Sequence, residues 1–187
     1  MATPYTVRES ATVQAPIERV FYLSTRVELV RETLGMNLVA DPAPDYIASG
    51  HIGAHSRVHW HGWKFGLPTH HHTLITGYAA PHAEADGVVS AWFQDSQAKG
   101  RFATFQHDHH FRQSLDPLTQ CPVTTLFDEV NFTLPFGVLG RLAAGLLLAP
   151  HIRKLCRQRF GRIKALAELD GWRAFVDPAL LPGSPDL

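Results

Sequence analysis

The stretch Val123-Thr-Thr-Leu-Phe-Asp-Glu-Val-Asn-Phe-Thr-Leu134, closed by Pro135-Phe-Gly137 and followed by Leu139, Leu142, Leu146, Ile152, Leu155, Phe160, Ile163 and Leu166, decides the fold. Before the Pro-Phe-Gly break, β-branched and aromatic residues read as a strand. After it, apolar residues recurring every three to four positions read as a long amphipathic helix. Pro150 falls inside that helix and removes a backbone donor, so the helix has to kink or restart there.

Working back toward the N-terminus, residues 101–112 form the strand expected to pair with residues 123–134 across a polar loop holding Pro117 and Pro122. Residues 88–93, 70–78 and 56–65 are further strands, separated by turns at 95–100, at 79–87 and at Gly66-Leu-Pro68. Asp41-Pro-Ala-Pro-Asp45 is turn chemistry, and residues 36–39 make a short strand. Residues 5–13 alternate, with Tyr5, Val7, Ala11 and Val13 on one face, so they read as a half-buried strand. Pro16 then opens a short helix carrying Ile17, Val20 and Phe21. Ser24-Thr25 caps a second, which carries Val27, Leu29, Val30 and Leu34 and ends at Gly35. The expected class is α+β: a curved antiparallel sheet wrapped around a long C-terminal helix, with two short helices after the first strand. One domain is expected over residues 1–171 and a loose, proline-rich tail over 172–187.

Composition narrows function mainly by exclusion. A chain of 187 residues with 45% apolar and 18% charged side chains supports a single core. Lys plus Arg and Asp plus Glu balance at 17 each, which gives no field to gather nucleic acid. Cys121 and Cys156 lack metal-type spacing, and residues 1–10 lack an export signal, so a cytoplasmic location is expected. The longest apolar stretch, residues 138–149, is broken by Arg141 and falls far short of the roughly 20 residues that span a bilayer. It is expected to be a core segment, with no integral membrane association. No Gly-x-Ser-x-Gly, P-loop or dinucleotide fingerprint occurs, and no cofactor is expected. Asn131-Phe-Thr133 matches a glycosylation pattern but lies in an expected strand of a chain without an export signal. Oligomeric state has no signature here. The outlier is 12 histidines.

The element order, together with Val13-Gln-Ala-Pro-Ile-Glu-Arg-Val-Phe21 at the first strand-to-helix junction, resembles the START-like superfamily, also called SRPBCC, whose fold is the helix-grip. Phe93-Gln-Asp95, Gly100-Arg-Phe102, His107-Asp-His-His-Phe111, Phe127-Asp-Glu-Val130 and Leu134-Pro-Phe-Gly-Val-Leu-Gly140 are similar in order to motifs of an uncharacterised bacterial ligand-binding branch. The resemblance covers about residues 5–168. It implies an internal cavity for a hydrophobic small molecule such as a lipid, polyketide or aromatic compound; some members are polyketide cyclases or dehydratases. The iron-ligand set of the oxygenase members has no counterpart placed on this sequence.

Period two puts Phe105, His107, His109 and Phe111 on one face of the strand over 101–112. If the hairpin closes symmetrically, His109 falls opposite Asp128, and a carboxylate orients an imidazole. Two roles follow for His107, His109 and Asp128: addressing the polar end of a bound ligand, or moving a proton in a cofactor-independent cyclase, dehydratase or isomerase. A buried polar ladder without chemistry also satisfies the pairing. Trp60, Trp92, Phe105, Phe111 and Val130 are expected to line the ligand cavity beside them. Three His-x-His pairs, His59/His61, His70/His72 and His107/His109, each share a face. His61 with His72 across the Gly66 turn could start a metal site, which makes a His-ligated metal-dependent protein the third functional reading, with no metal ligand assigned. The basic residues Arg153, Lys154, Arg157, Arg159, Arg162 and Lys164 are expected to be a solvated helix face.

Overall fold

The computed structural model describes residues 4–181. Strand β1 (Tyr5–Val13) leads into helices α1 (Ile17–Thr25) and α2 (Val27–Leu34) and a short β2 (Asn37–Leu38). Then come β3 (Arg57–Lys64), β4 (Leu67–Ala83), β5 (Val89–Lys99), β6 (Thr104–Leu115) and β7 (Pro122–Thr133). The C-terminal helical run consists of α3 (Gly137–Ala143), a π-helical segment (Ala144–Leu148) and α4 (Ala149–Ala167). All seven strands form one antiparallel sheet in the order β1-β7-β6-β5-β4-β3-β2. This is the expected α+β helix-grip class, with the long helix packed across β1 and the two short helices at one end of the sheet.

The strands run longer than composition suggested. The expected turns at 79–87 and 95–100 are largely strand, because β4 passes through register shifts at 72/73, 75/77 and 79/82 that let it curve without breaking. Between β3 and β4 the connection is the two residues Phe65 and Gly66, at φ 52° and 73°. This is the backbone hand that matches the sheet's twist in a tight hairpin. Ser24 and Thr25 do not cap α2. Their hydroxyls donate back to the carbonyls of Val20 and Tyr22, and the extended Arg26 precedes the helix.

Two departures concern the terminal helix and the segment after it. Residues 138–149, expected to be core, expose Val138, Leu139, Leu142, Leu146 and Leu147. The face turned to the protein consists of small residues: Gly140, Ala144 and Ala149 are buried, and a side chain on Gly145 would meet the Tyr5 ring at 3.3 Å. Pro150 neither breaks nor restarts the helix: the backbone stays helical through Leu148 and Ala149, and the proline falls in the turn directly after the π segment. The tail expected from 172 onward is docked at its start: Trp172 and Val176 are buried in the core, and the Arg19 guanidinium lies 4.5 Å over the Trp172 ring. Residues 182–187 lie outside the described residues.

The core is divided. Phe21 on α1 centres one cluster, touching Phe111 at 5.3 Å and Tyr78 at 5.4 Å. A second gathers Val7, Val130 and Phe132 of the sheet with Ala149, Ile152 and Cys156 of the helix. Between the concave sheet and the helix, bounded by members of both clusters, lies a cavity.

Candidate functional site

The cavity holds about 460 Å³, within the range of small-molecule sites. Its walls are mostly apolar, including Trp60, Ile75, Phe93 and Phe105 from the sheet, Phe102 just before β6, and Ile152 and Leu155 from α4. Trp60 keeps its indole N–H satisfied by donating to Thr73 Oγ1 at 3.1 Å, so the ring is held as wall. The mouth lies between the β3–β4 hairpin and the π segment. Phe65, Leu67, Leu147 and His151 line it, and the Phe65 ring meets His151 at 5.1 Å.

The inner end is polar. In register, His109 of β6 stands opposite Asp128 of β7, as hairpin symmetry predicts, while Asp95 of β5 stands opposite His107. His109 Nδ1 donates to Asp128 Oδ1 at 2.8 Å, and its Nε2 lies 3.1 Å from Asp95 Oδ2. Arg159 Nη1 donates to Asp128 Oδ2 at 2.7 Å. The same Nη1 lies 3.0 Å from His109 Nδ1. Because that ring nitrogen already gives its hydrogen to Asp128, the approach is a contact rather than a second bond. Phe93 stacks on the other face of the His109 ring at 4.1 Å and fixes its plane. His107 stands beside His109, with ring centroids 3.7 Å apart; its Nε2 lies 3.3 Å from Asp128 Oδ2, off the line of a good hydrogen bond.

The charges are coupled. Burial pushes the Asp128 carboxyl up, yet the Arg159 guanidinium and then the two imidazoles hold it well below the usual carboxylate range. Asp95 is lowered as well: burial raises it, but the His109 bond and the nearby imidazoles outweigh burial. His107 is lowered by burial first and by the adjacent His109 ring second. His71, on the cavity wall, is lowered by burial. The Cys156 thiol, on the helix beside Asp128, is pushed up to about 12 by burial and then by that carboxylate.

The sequence-derived residues divide accordingly. Trp60, Phe105, His107, His109 and Val130 line the cavity. Asp128 stands behind the histidines, and Phe111 packs into the Phe21 cluster instead of the cavity. Trp92 faces outward, 37% exposed, because its neighbour Phe93 takes the inward position and successive strand residues point to opposite faces. Arg159, expected in solvent, is only 9% exposed and lies inside. The other helix cations do stay on the surface, where Arg157 pairs with Glu9 at 2.9 Å and Arg162 with Glu32 at 3.1 Å. Sequence reasoning missed Asp95, Arg159 and Cys156. The signal for Arg159 and Cys156 was present in the spacing Ile152, Cys156, Arg159, Ile163, which is a single helical stripe.

Two sets of side chains bring three potential metal-ligand atoms within 4.8 Å of one another: Asp95, His107 and His109, and His107, Asp128 and Cys156. The outer pairs do not. His59 faces His72 and His61 faces His70 in register, with His59 Nε2 3.1 Å from His70 Nδ1. Among the described residues, no three of those four converge as the inner set does.

No protein-family model matches this chain, and no curated protein matches it in sequence. Solved structures match it in shape. TTHA0849 from Thermus thermophilus is 18% identical with a TM-score of 0.55, over 87% of this chain and 99% of that one. The hypothetical protein jhp0584 from Helicobacter pylori is 10% identical with a TM-score of 0.51, over 88% and 89%. Ara h 8.0201 aligns at 11% identity and a TM-score of 0.49, over 87% and 99%. What is shared is the helix-grip fold. Fold alone is shared at such low identity, and function has to be argued from the site. Among the described residues, no helix is long and apolar enough to cross a membrane.

Proposed function

We propose that this protein binds one hydrophobic small molecule (lipid, polyketide or aromatic-like) in the cavity, as in the ligand-binding branch that its motifs resemble. The molecule's apolar body lies against Trp60, Phe93, Phe105 and Val130, and its single polar end meets the inner cluster. One observation carries this reading: an apolar cavity of about 460 Å³ ends at a buried guanidinium. Arg159 lines that end together with His107 and His109, and a carboxylate or carbonyl oxygen on the ligand would suit such a donor-rich terminus.

The geometry favours binding over proton transfer by the His109–Asp128 pair. Both nitrogens of His109 already face carboxylate oxygens, so neither is presented to a ligand. An acid–base reaction in this cavity would have to use His107.

The test uses 8-anilinonaphthalene-1-sulfonate, an aromatic anion, titrated into the purified protein and followed by fluorescence. Saturable binding of one probe per chain is expected. Arg159→Met should weaken it at least tenfold, and Val130→Phe, which fills the cavity, should abolish it. Binding that ignores both substitutions would place the probe elsewhere and remove the reading.

A further inference from the structure

At the inner end of the cavity the buried charges do not balance. Asp95 and Asp128 each carry one negative charge, and Arg159 supplies one positive charge. The remaining negative charge is balanced by a second proton on a ring that donates to both carboxylates, or by a cation seated between Asp95 and the two rings.

His109 gives its Nδ1 hydrogen to Asp128, and His107 turns its Nε2 toward the other oxygen of the same carboxylate, at 3.3 Å. That carboxylate holds the His109 ring by a hydrogen bond and lies beside the His107 ring. The opposite nitrogens are directed at Asp95: His109 Nε2 lies 3.1 Å and His107 Nδ1 3.8 Å from Asp95 Oδ2. Two donors each about 2.1 Å from an ion and separated by a tetrahedral angle lie about 3.4 Å apart, and the two observed distances bracket that value. A histidine ligand whose second nitrogen is held by a carboxylate is the usual support of a protein metal centre. Here Asp128 supports the His109 ring, and Arg159 anchors Asp128 in turn.

The geometry points to a binding site for a single divalent first-row transition-metal ion, held by Asp95 Oδ2, His107 Nδ1 and His109 Nε2, with its remaining positions open to the cavity. Two imidazoles and one carboxylate suit zinc, iron(II) or cobalt(II) rather than magnesium or calcium. The second cluster is a poorer host, because Asp128 is already bonded to Arg159 and His109 and the Cys156 thiol would have to lose its proton beside a carboxylate. The ion's binding stands by itself. Its further role, accepting the oxygen of a bound apolar molecule, rests on the function proposed above.

Cobalt(II) chloride is the probe, added to chelator-treated protein in which His59, His61, His70 and His72 are replaced by Thr, so that the outer histidines contribute nothing. One cobalt per chain is expected by elemental analysis, with visible d–d absorption. Asp95→Asn should reduce the affinity at least a hundredfold, and Asp128→Asn tenfold to a hundredfold. Circular dichroism shows whether each variant is folded. Crystals of the unsubstituted protein soaked in cobalt supply a measurement that needs no variant: the anomalous peak should lie among the three ligand atoms. Absence of cobalt there, or affinity unchanged by Asp95→Asn in a folded variant, overturns the proposal. Anilinonaphthalene binding without cobalt binding would sink the metal site alone, while cobalt binding without probe binding would sink the ligand reading alone.

Discussion

Two groups of histidines occupy opposite faces of one sheet. Outside, His59 stacks on His72 at 3.9 Å and His61 meets His70 at 4.6 Å, in a ladder whose nearest ring neighbours are other imidazoles. Inside, His107 and His109 lie just as close, at 3.7 Å, but carboxylates from β5 and β7 and a guanidinium from α4 surround them. Both groups arise from the same His-x-His spacing, repeated on β3 and β4 outside and present once on β6 inside. Spacing assigns a residue to a face; the partners brought by other elements give that face its chemistry. The outer ladder is local to one hairpin, whereas the inner cluster joins three strands and the terminal helix.

That contrast can be broken most directly at Asp128. Asp128→Ala leaves the Arg159 guanidinium buried without its partner, and urea unfolding should register a loss of about 3–5 kcal/mol. A loss below about 1 kcal/mol would mean that the inner groups do not act as a unit. Arg159→Met, which keeps the stem's packing and leaves the carboxylate bonded to His109 alone, should cost less, about 1–3 kcal/mol by the same measurement. An effect larger than that of Asp128→Ala would reverse the roles assigned to the pair.

The outer ladder should answer weakly and only in acid. His59→Thr with His72→Thr should change stability by no more than about 0.5 kcal/mol at neutral pH, since Thr suits a strand. Burial first, and neighbouring imidazole charge second, lower both His59 and His72. Their contribution is therefore fully present above the unfolded value of about 6.5 and declines as pH falls toward their lower folded values, because the unfolded chain then binds more protons. The double variant should lose less stability than the parent between pH 7 and pH 5. An identical decline in both proteins would show that the ladder does not titrate as its neighbours require.

Much of this was legible residue by residue. Alternation and hairpin symmetry place His109 against Asp128, and the change of period after Pro135-Phe-Gly137 announces the helix that the sheet grips. Asp95 was hidden because Asp-Ser-Gln-Ala-Lys-Gly has turn composition, although Ala91, Phe93 and Asp95 continue one inward face; tertiary pairing with β4 and β6 overrode local preference. Arg159 was hidden by its company, five other cations on the same helix, while its position on the Ile152–Ile163 stripe pointed inward. The exposed leucines around 139–147 had no such signal, since a π turn shifts the helical phase without a distinctive residue pattern. Trp92 shows the limit of reading aromatic content without parity.

The tight turn at Phe65 and Gly66 has a mechanical corollary. Its backbone is confined to one hand and its flanking strands are paired to the last residue, so that side of the mouth behaves as a stiff lip. If the cavity takes a ligand as proposed, the opposite bank, where the π segment departs from the regular helical ladder, is the side left to open. Unwinding a single turn there would swing Leu147 and Leu148 aside while every strand pairing stayed closed. On the proposed binding function, guest exchange and the persistence of the sheet would be separate properties, adjustable at different residues.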